Sequence, residues 1–175
     1  RMFAYCNNLT NLDVSKFDTS KVTDMGNIFE ACQDLTNLDV SNFNTSNVTS
    51  MNRMFAYCNN LTNLDVSKFD TSKVTDMASM FEECNSLTVL DVSGFETSNV
   101  TNMRSMFYNC IQLKSLNLSG FDTTNVTDMS SMFETCSSLK SIILDKGITS
   151  SEQAMKLLTG TRLEDLPNAI LYVPD

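Results

Sequence analysis

The chain has 175 residues, enough for one domain, and 42% hydrophobic against 19% charged residues excludes intrinsic disorder. A formal charge of −9 argues against nucleic acid, which needs a basic footprint. The absence of His excludes catalytic arrangements built on imidazole and any imidazole metal site.

An internal repeat dominates the sequence. Cysteine recurs every 26 residues, at Cys6, Cys32, Cys58, Cys84, Cys110 and Cys136. Phe3, Leu9, Val22 and Met25 head columns with the same period. Residues 1–25 and 53–77 are identical, an offset of two units that points to duplication in two-unit blocks. No insertion breaks the register up to about residue 144.

Within a unit the elements follow in order. Leu12-Asp13-Val14-Ser15 alternates apolar and polar, which predicts a short strand with its apolar side inward. Asp18-Thr19-Ser20-Lys21 predicts a polar turn. Met25-x-x-Ile28-Phe29-x-x-Cys32 is apolar at i, i+3, i+4 and i+7, one face of a short helix, with Thr23 or Asp24 as its cap. Such a unit cannot bury its apolar face alone, so the units must stack into one continuous core. The expected fold is an α/β leucine-rich-repeat solenoid of about six 26-residue units over residues 1–146. Strands at roughly 4.8 Å spacing and helices at roughly 8–10 Å would curve it, the parallel sheet concave and the short helices convex.

The motif V-T-[DN]-M-x-x-M-F-x-x-C-x-x-L-T-x-L-D-V-S-x-F-[DN]-T-S, written from Val74 onward, resembles the 26-residue leucine-rich repeats of bacterial surface proteins. These are the BspA-like repeats of lipoproteins and wall-anchored adhesins. The resemblance implies an extracellular or cell-surface bacterial protein, attached through segments absent from this chain. The chain opens inside a repeat, with no signal-peptide pattern at Arg1-Met2-Phe3, which fits an excerpt of a longer protein.

After Leu144 the repeat pattern stops, and Gly147 replaces the column Phe. Residues 147–175 are expected to cap the stack. Ala154, Leu157 and Leu158 give a helical face over about 151–158, and Ala169-Ile170-Leu171-Tyr172-Val173 reads as a final strand over about 169–173.

Six cysteines allow three disulfides by count, but one per coil on a helix face places neighbours too far apart, and a buried thiol column is expected. No C-x-x-C exists, so no metal site or cofactor is expected. The Met columns read as core. The Thr columns beginning at Thr19 and Thr23 read as turn and cap chemistry rather than an ice-binding array.

The sharper candidates face outward from the strand: Asn11, Asp13, Asn37, Asp39, Asn63, Asp65 and Asp91. Stacked like charges repel, so hydrogen bonds, lysines, water or cations must offset them. A structural ladder, a ligand-facing surface and calcium coordination are the readings weighed, the last disfavoured because no loop-type oxygen cluster is present. The expected function is a non-enzymatic surface module for protein interaction and adhesion, using the concave face against a host or matrix protein or a glycan. The alternatives are a spacer or stalk and, remotely, an ice- or calcium-binding array. No apolar run reaches the ~20 residues of a membrane helix, so this fragment is not expected to insert into a membrane.

Overall fold

The computed structural model describes residues 2–143 and the strand Ile170–Tyr172. The chain winds into a repeat solenoid, one coil per 26-residue unit, in which backbone hydrogen bonds join residues 25–27 positions apart. The expected helix over about 151–158 lies outside the described residues.

The expected short helices are not what the segments at 25–32, 51–58, 77–84 and 103–110 form, and among the described residues there is no α-helix. Alternate N–H groups leave the coil altogether. Met25, Asn27, Phe29 and Ala31 donate to the carbonyls of Ser50, Asn52, Met54 and Ala56 in the next coil, at 2.9, 2.9, 3.1 and 2.7 Å. The intervening N–H groups fold back three residues, Ile28 to Met25, Glu30 to Asn27 and Cys32 to Phe29, at 3.4, 3.3 and 3.2 Å. The segment is thus a run of β-turns in register with its neighbours. Residues closing these turns adopt left-handed backbone, with φ of 60° at Asn27, 58° at Ala31, 57° at Ser79 and 60° at Glu83. None of the eleven such positions is glycine, and each carries about 1–2 kcal/mol of local cost. The inter-coil ladder offsets it by pairing every second donor. A chain turning every two residues puts apolar side chains inward at i, i+3, i+4 and i+7 as a helix does, so periodicity alone misassigned it.

On the opposite side of the coil the pairing is thinner. Asn37 and Asn63 form one isolated parallel bridge. Continuous strands appear only later: β1 at Ser115–Asn117, β2 at Ser141–Ile143 and β3 at Ile170–Tyr172. They form a parallel sheet in the order β1-β2-β3, with Ser115 opposite Ser141 and Ser141 opposite Ile170. A third column of bridges, Asp24 to Ser50 to Asp76 to Asn102 to Asp128, leads into the turn ladder. With turns in place of helices, both sides of the coil stack at hydrogen-bonding distance. The packing of thick helices therefore gives no reason for curvature here.

The core runs the length of the stack. Phe3, Phe29, Phe55, Phe81, Phe107 and Phe133 stack ring on ring at 5.7–5.9 Å, their planes 3–11° apart. Phe17, Phe43 and Phe69 pack their rings against Phe3, Phe29 and Phe55. Buried methionines such as Met51, Met54, Met77 and Met80 fill the space between, with the leucine column Leu35, Leu61, Leu87 and Leu113. The corner between the two sides is pinned by buried threonines. Thr71 Oγ1 donates to the Glu96 carbonyl at 3.0 Å and accepts from the Glu96 N–H at 2.7 Å. Thr19 and Thr45 make the same pair of bonds to Asn44 and Asp70.

All six cysteines are thiols. Cys32 through Cys136 are buried and Cys6, in the first coil, is half-buried. Each buried thiol donates to a phenylalanine carbonyl 29 residues back, as Cys84 does to Phe55 at 3.2 Å and Cys110 to Phe81 at 3.1 Å. The coils are too close for helix spacing to be what prevents bridging; the thiols are instead committed as donors. Burial raises the Cys32 thiol to about 11 and holds Cys58, Cys84 and Cys110 well above the usual thiol range. These thiols are inert by protonation as well as by access.

Candidate ligand-facing surfaces

Asn11, Asp13, Asn37, Asp39, Asn63, Asp65 and Asp91 all lie exposed on the strand side. The structure brings Asn37, Asp39, Asn63 and Asp65 together around a shallow cleft of about 220 Å³, floored by Leu38 and Val40. Each aspartate also has a local task. Asp13, Asp39, Asp65 and Asp91 accept the N–H of the serine two residues on, at 2.9–3.0 Å, and Asn117 does the same for Ser119 at 3.1 Å. These are Asx-turns, which carry the chain from strand to corner. The serine hydroxyl and then the serine N–H hold all four carboxyls below the ordinary aspartate range. Lys68 lowers Asp39 further, while Asp65 raises it. The ladder's repulsion is thus met mainly by serine, with lysine as a lesser contribution. Two more Asx columns follow, seen at Asp18, Asn44 and Asp70, and at Asp24, Asp76 and Asp128.

The turn side carries a second constellation, which reading the units as helices had hidden. Arg53 sits between Glu30 of the preceding coil and Glu82 of the following one. Its Nε lies 3.1 Å from Glu30 Oε1 and its Nη2 lies 3.5 Å from Glu82 Oε2. The first contact is ionic rather than a directed hydrogen bond, since Nε has no aligned acceptor. Glu30 is only 5% exposed, so Arg53 answers a buried charge. The guanidinium lies over the Tyr57 ring at 5.6 Å from its centroid, and Tyr57 Oη donates to Glu82 Oε1 at 2.8 Å. That donation, then burial, raises the Tyr57 hydroxyl above its ordinary value.

Two clefts flank this network. One, of about 340 Å³, is bordered by Tyr5, Asn7, Glu30, Gln33, Arg53 and Tyr57. The other, of about 420 Å³, lies across Tyr57 and is lined by Glu82, Glu83, Arg104, Tyr108 and Glu134 among others. A sequence signal for this side exists, in the columns that change. The column of Ala4 continues as Glu30, Ala56, Glu82, Tyr108 and Glu134. The column of Tyr5 continues as Ala31, Tyr57, Glu83, Asn109 and Thr135. By contrast Asp13, Asp39, Asp65 and Asp91 repeat one residue through four units. Among the described residues no group of His, Cys, Asp and Glu is arranged to hold a metal ion.

A family model described as "Mycoplasma protein of unknown function, DUF285" matches residues 1–90 and 57–162. The chain belongs to this family, a repeat family of the BspA-like kind. No curated protein and no solved structure matches it.

Proposed function

We propose that this DUF285-family chain is a non-enzymatic binding and adhesion module of a bacterial cell surface, built from 26-residue units of the leucine-rich-repeat type. The observation that carries the reading is the exposed row of Asp39, Asp65 and Asp91 with its asparagine neighbours, held rigidly on successive coils. Each carboxylate spends one oxygen on an Asx-turn and keeps lone pairs directed outward. A row of fixed charges on a stiff scaffold suits a basic patch on a host or matrix protein, with association weakened by salt.

The test is capture of soluble matrix proteins by the immobilised chain at low and high salt, with the Asp39→Asn, Asp65→Asn, Asp91→Asn triple variant alongside. Asparagine also forms Asx-turns in this protein, at Asn44 and Asn117, so the variant keeps shape and loses charge. Salt-sensitive capture that the variant lacks supports the reading; capture unchanged in the variant contradicts it. The spacer reading draws on one observation of its own: every outward aspartate already serves the fold, which is reason enough for its repetition. Of the two threonine columns behind the ice-binding alternative, Thr19, Thr45, Thr71 and Thr97 are buried between coils. Thr23, Thr49, Thr75, Thr101 and Thr127 are exposed, and from Thr49 onward each is bonded to the backbone of the preceding coil.

A further inference from the structure

We infer that the turn-side cleft between Tyr5 and Tyr57 is a binding site for a neutral saccharide. The inference goes beyond the acidic strand face, lies on the other side of the coil and uses none of its residues. The cleft's volume, about 340 Å³, is within the range of small-molecule sites.

Its chemistry is selective. The charged residues lining it are Glu30 and Arg53, which pair with each other, so the lining itself carries no net charge to offer an ionic ligand. The same contacts fix the guanidinium and the Tyr57 ring in place before any ligand arrives, which reduces the ordering cost of binding. What remains unused are the groups a sugar needs. The side-chain amides of Asn7 and Gln33 border the cleft with no hydrogen-bond partner among the described residues, and each can both donate and accept. A hydroxyl, itself donor and acceptor, is their natural complement. Tyr5 is 62% exposed and presents its ring at the cleft edge, an amphipathic surface suited to the C–H face of a pyranose.

The pattern of variation agrees. Tyr5, Glu30, Arg53 and Tyr57 stand in columns whose residues change in chemistry from coil to coil, while the Phe3 and Cys6 columns do not change and the Asx columns hold mostly Asp or Asn. The cleft two coils on takes the same columns but has Glu83 and Ser105 where this one has Ala31 and Arg53, so the two differ in chemistry.

The experiment titrates the 175-residue chain with neutral di- to tetrasaccharides of glucose, galactose, mannose and N-acetylhexosamines. The chain has no Trp and only four Tyr, so tyrosine emission reports cleft occupancy, with saturation-transfer NMR as the second readout. Saturable binding is expected for at least one saccharide class. Tyr5→Ala and Gln33→Ala should each weaken it about tenfold or more, at unchanged melting temperature because both residues are exposed. Lys114→Ala, exposed and distant in sequence, should leave it unchanged. Absence of binding across the panel, or binding that Tyr5→Ala and Gln33→Ala leave intact, overturns the site, as does exclusive binding of anionic saccharides. Capture of a matrix protein without any saccharide binding overturns the cleft and leaves the adhesion reading standing. Saccharide binding without a protein partner supports the cleft and counts against the strand face.

Discussion

The two sides of each coil solve the same backbone problem differently. On the turn side, four N–H groups per coil reach the next coil and the rest close tight turns, so the backbone satisfies itself whatever the outward side chains are. On the strand side, backbone pairing is sparser: one bridge at Asn37–Asn63, scattered bonds such as Asn60 to Gln33 and Lys114 to Thr88, and short strands from Ser115 onward. There the side chains of Asp13, Asp39, Asp65 and Asp91 supply what the backbone lacks. The difference explains the pattern of repetition. Where side chains build the fold they repeat, and where the backbone builds it they are free to differ. Diversity at Glu30, Arg53, Tyr57, Glu82 and Tyr108 is therefore a property the turn side can bear without loss of stability.

Changes to the core that both sides share should be felt most. Phe81 is fully buried and stacked between Phe55 and Phe107 at 5.8 and 5.7 Å. Phe81→Ala should cost about 3–5 kcal/mol in urea unfolding. A cost under about 1 kcal/mol would place the ring outside the load shared by the two sides. Next comes the corner that joins them. Thr71→Val keeps the shape but strands the Glu96 N–H and carbonyl, and should cost about 1–3 kcal/mol. An unchanged midpoint would mean the corner threonines are fillers.

A smaller effect separates turn from helix. Ser79 has φ of 57°, so Ser79→Gly relieves left-handed strain and should be neutral or stabilising by up to about 1 kcal/mol. In a helix interior the same glycine would cost about 0.5–1 kcal/mol, so the sign of the change decides. The smallest change at neutral pH is expected on the strand side. The Asp39→Asn, Asp65→Asn, Asp91→Asn variant keeps its Asx-turns and should unfold close to the parent at pH 7. The two should part in acid. The native carboxyls lie below the ordinary value of 3.8, so their contribution is present above pH 3.8 and is lost as pH falls through the native values. The parent should lose more stability than the variant between pH 5 and 2. Parallel losses would show that these aspartates do not hold the strand side.

Much of this was legible in the sequence. The columns of Phe29, Cys32, Leu35 and Val48 predicted burial, and the stacked rings and buried thiols follow from a 26-residue period. The exposure of Asn37, Asp39, Asn63 and Asp65 followed from alternation with Leu38 and Val40. The helix was misread because Met25, Ile28, Phe29 and Cys32 fit a turn series as well as a helix. Nothing in Asn27, Ala31, Ser79 or Glu83 announces left-handed backbone, since glycine, the usual signal, is absent. The saccharide cleft was invisible for a related reason. Glu30, Arg53, Tyr57 and Glu82 meet only through the coil-to-coil offset, and within any one unit they are unremarkable polar residues.

The direct test of the turn ladder is through-bond detection of its hydrogen bonds by NMR. Trans-hydrogen-bond couplings should link the Phe55 nitrogen to the Met80 carbonyl carbon and the Phe81 nitrogen to the Met106 carbonyl carbon, across contacts of 3.0 Å in each case. Those pairs lie 25 residues apart in sequence. Couplings from Phe55 to Met51 and from Phe81 to Met77, four residues back, would mean that these segments are helices and that the turn-side backbone does not hold the coils together.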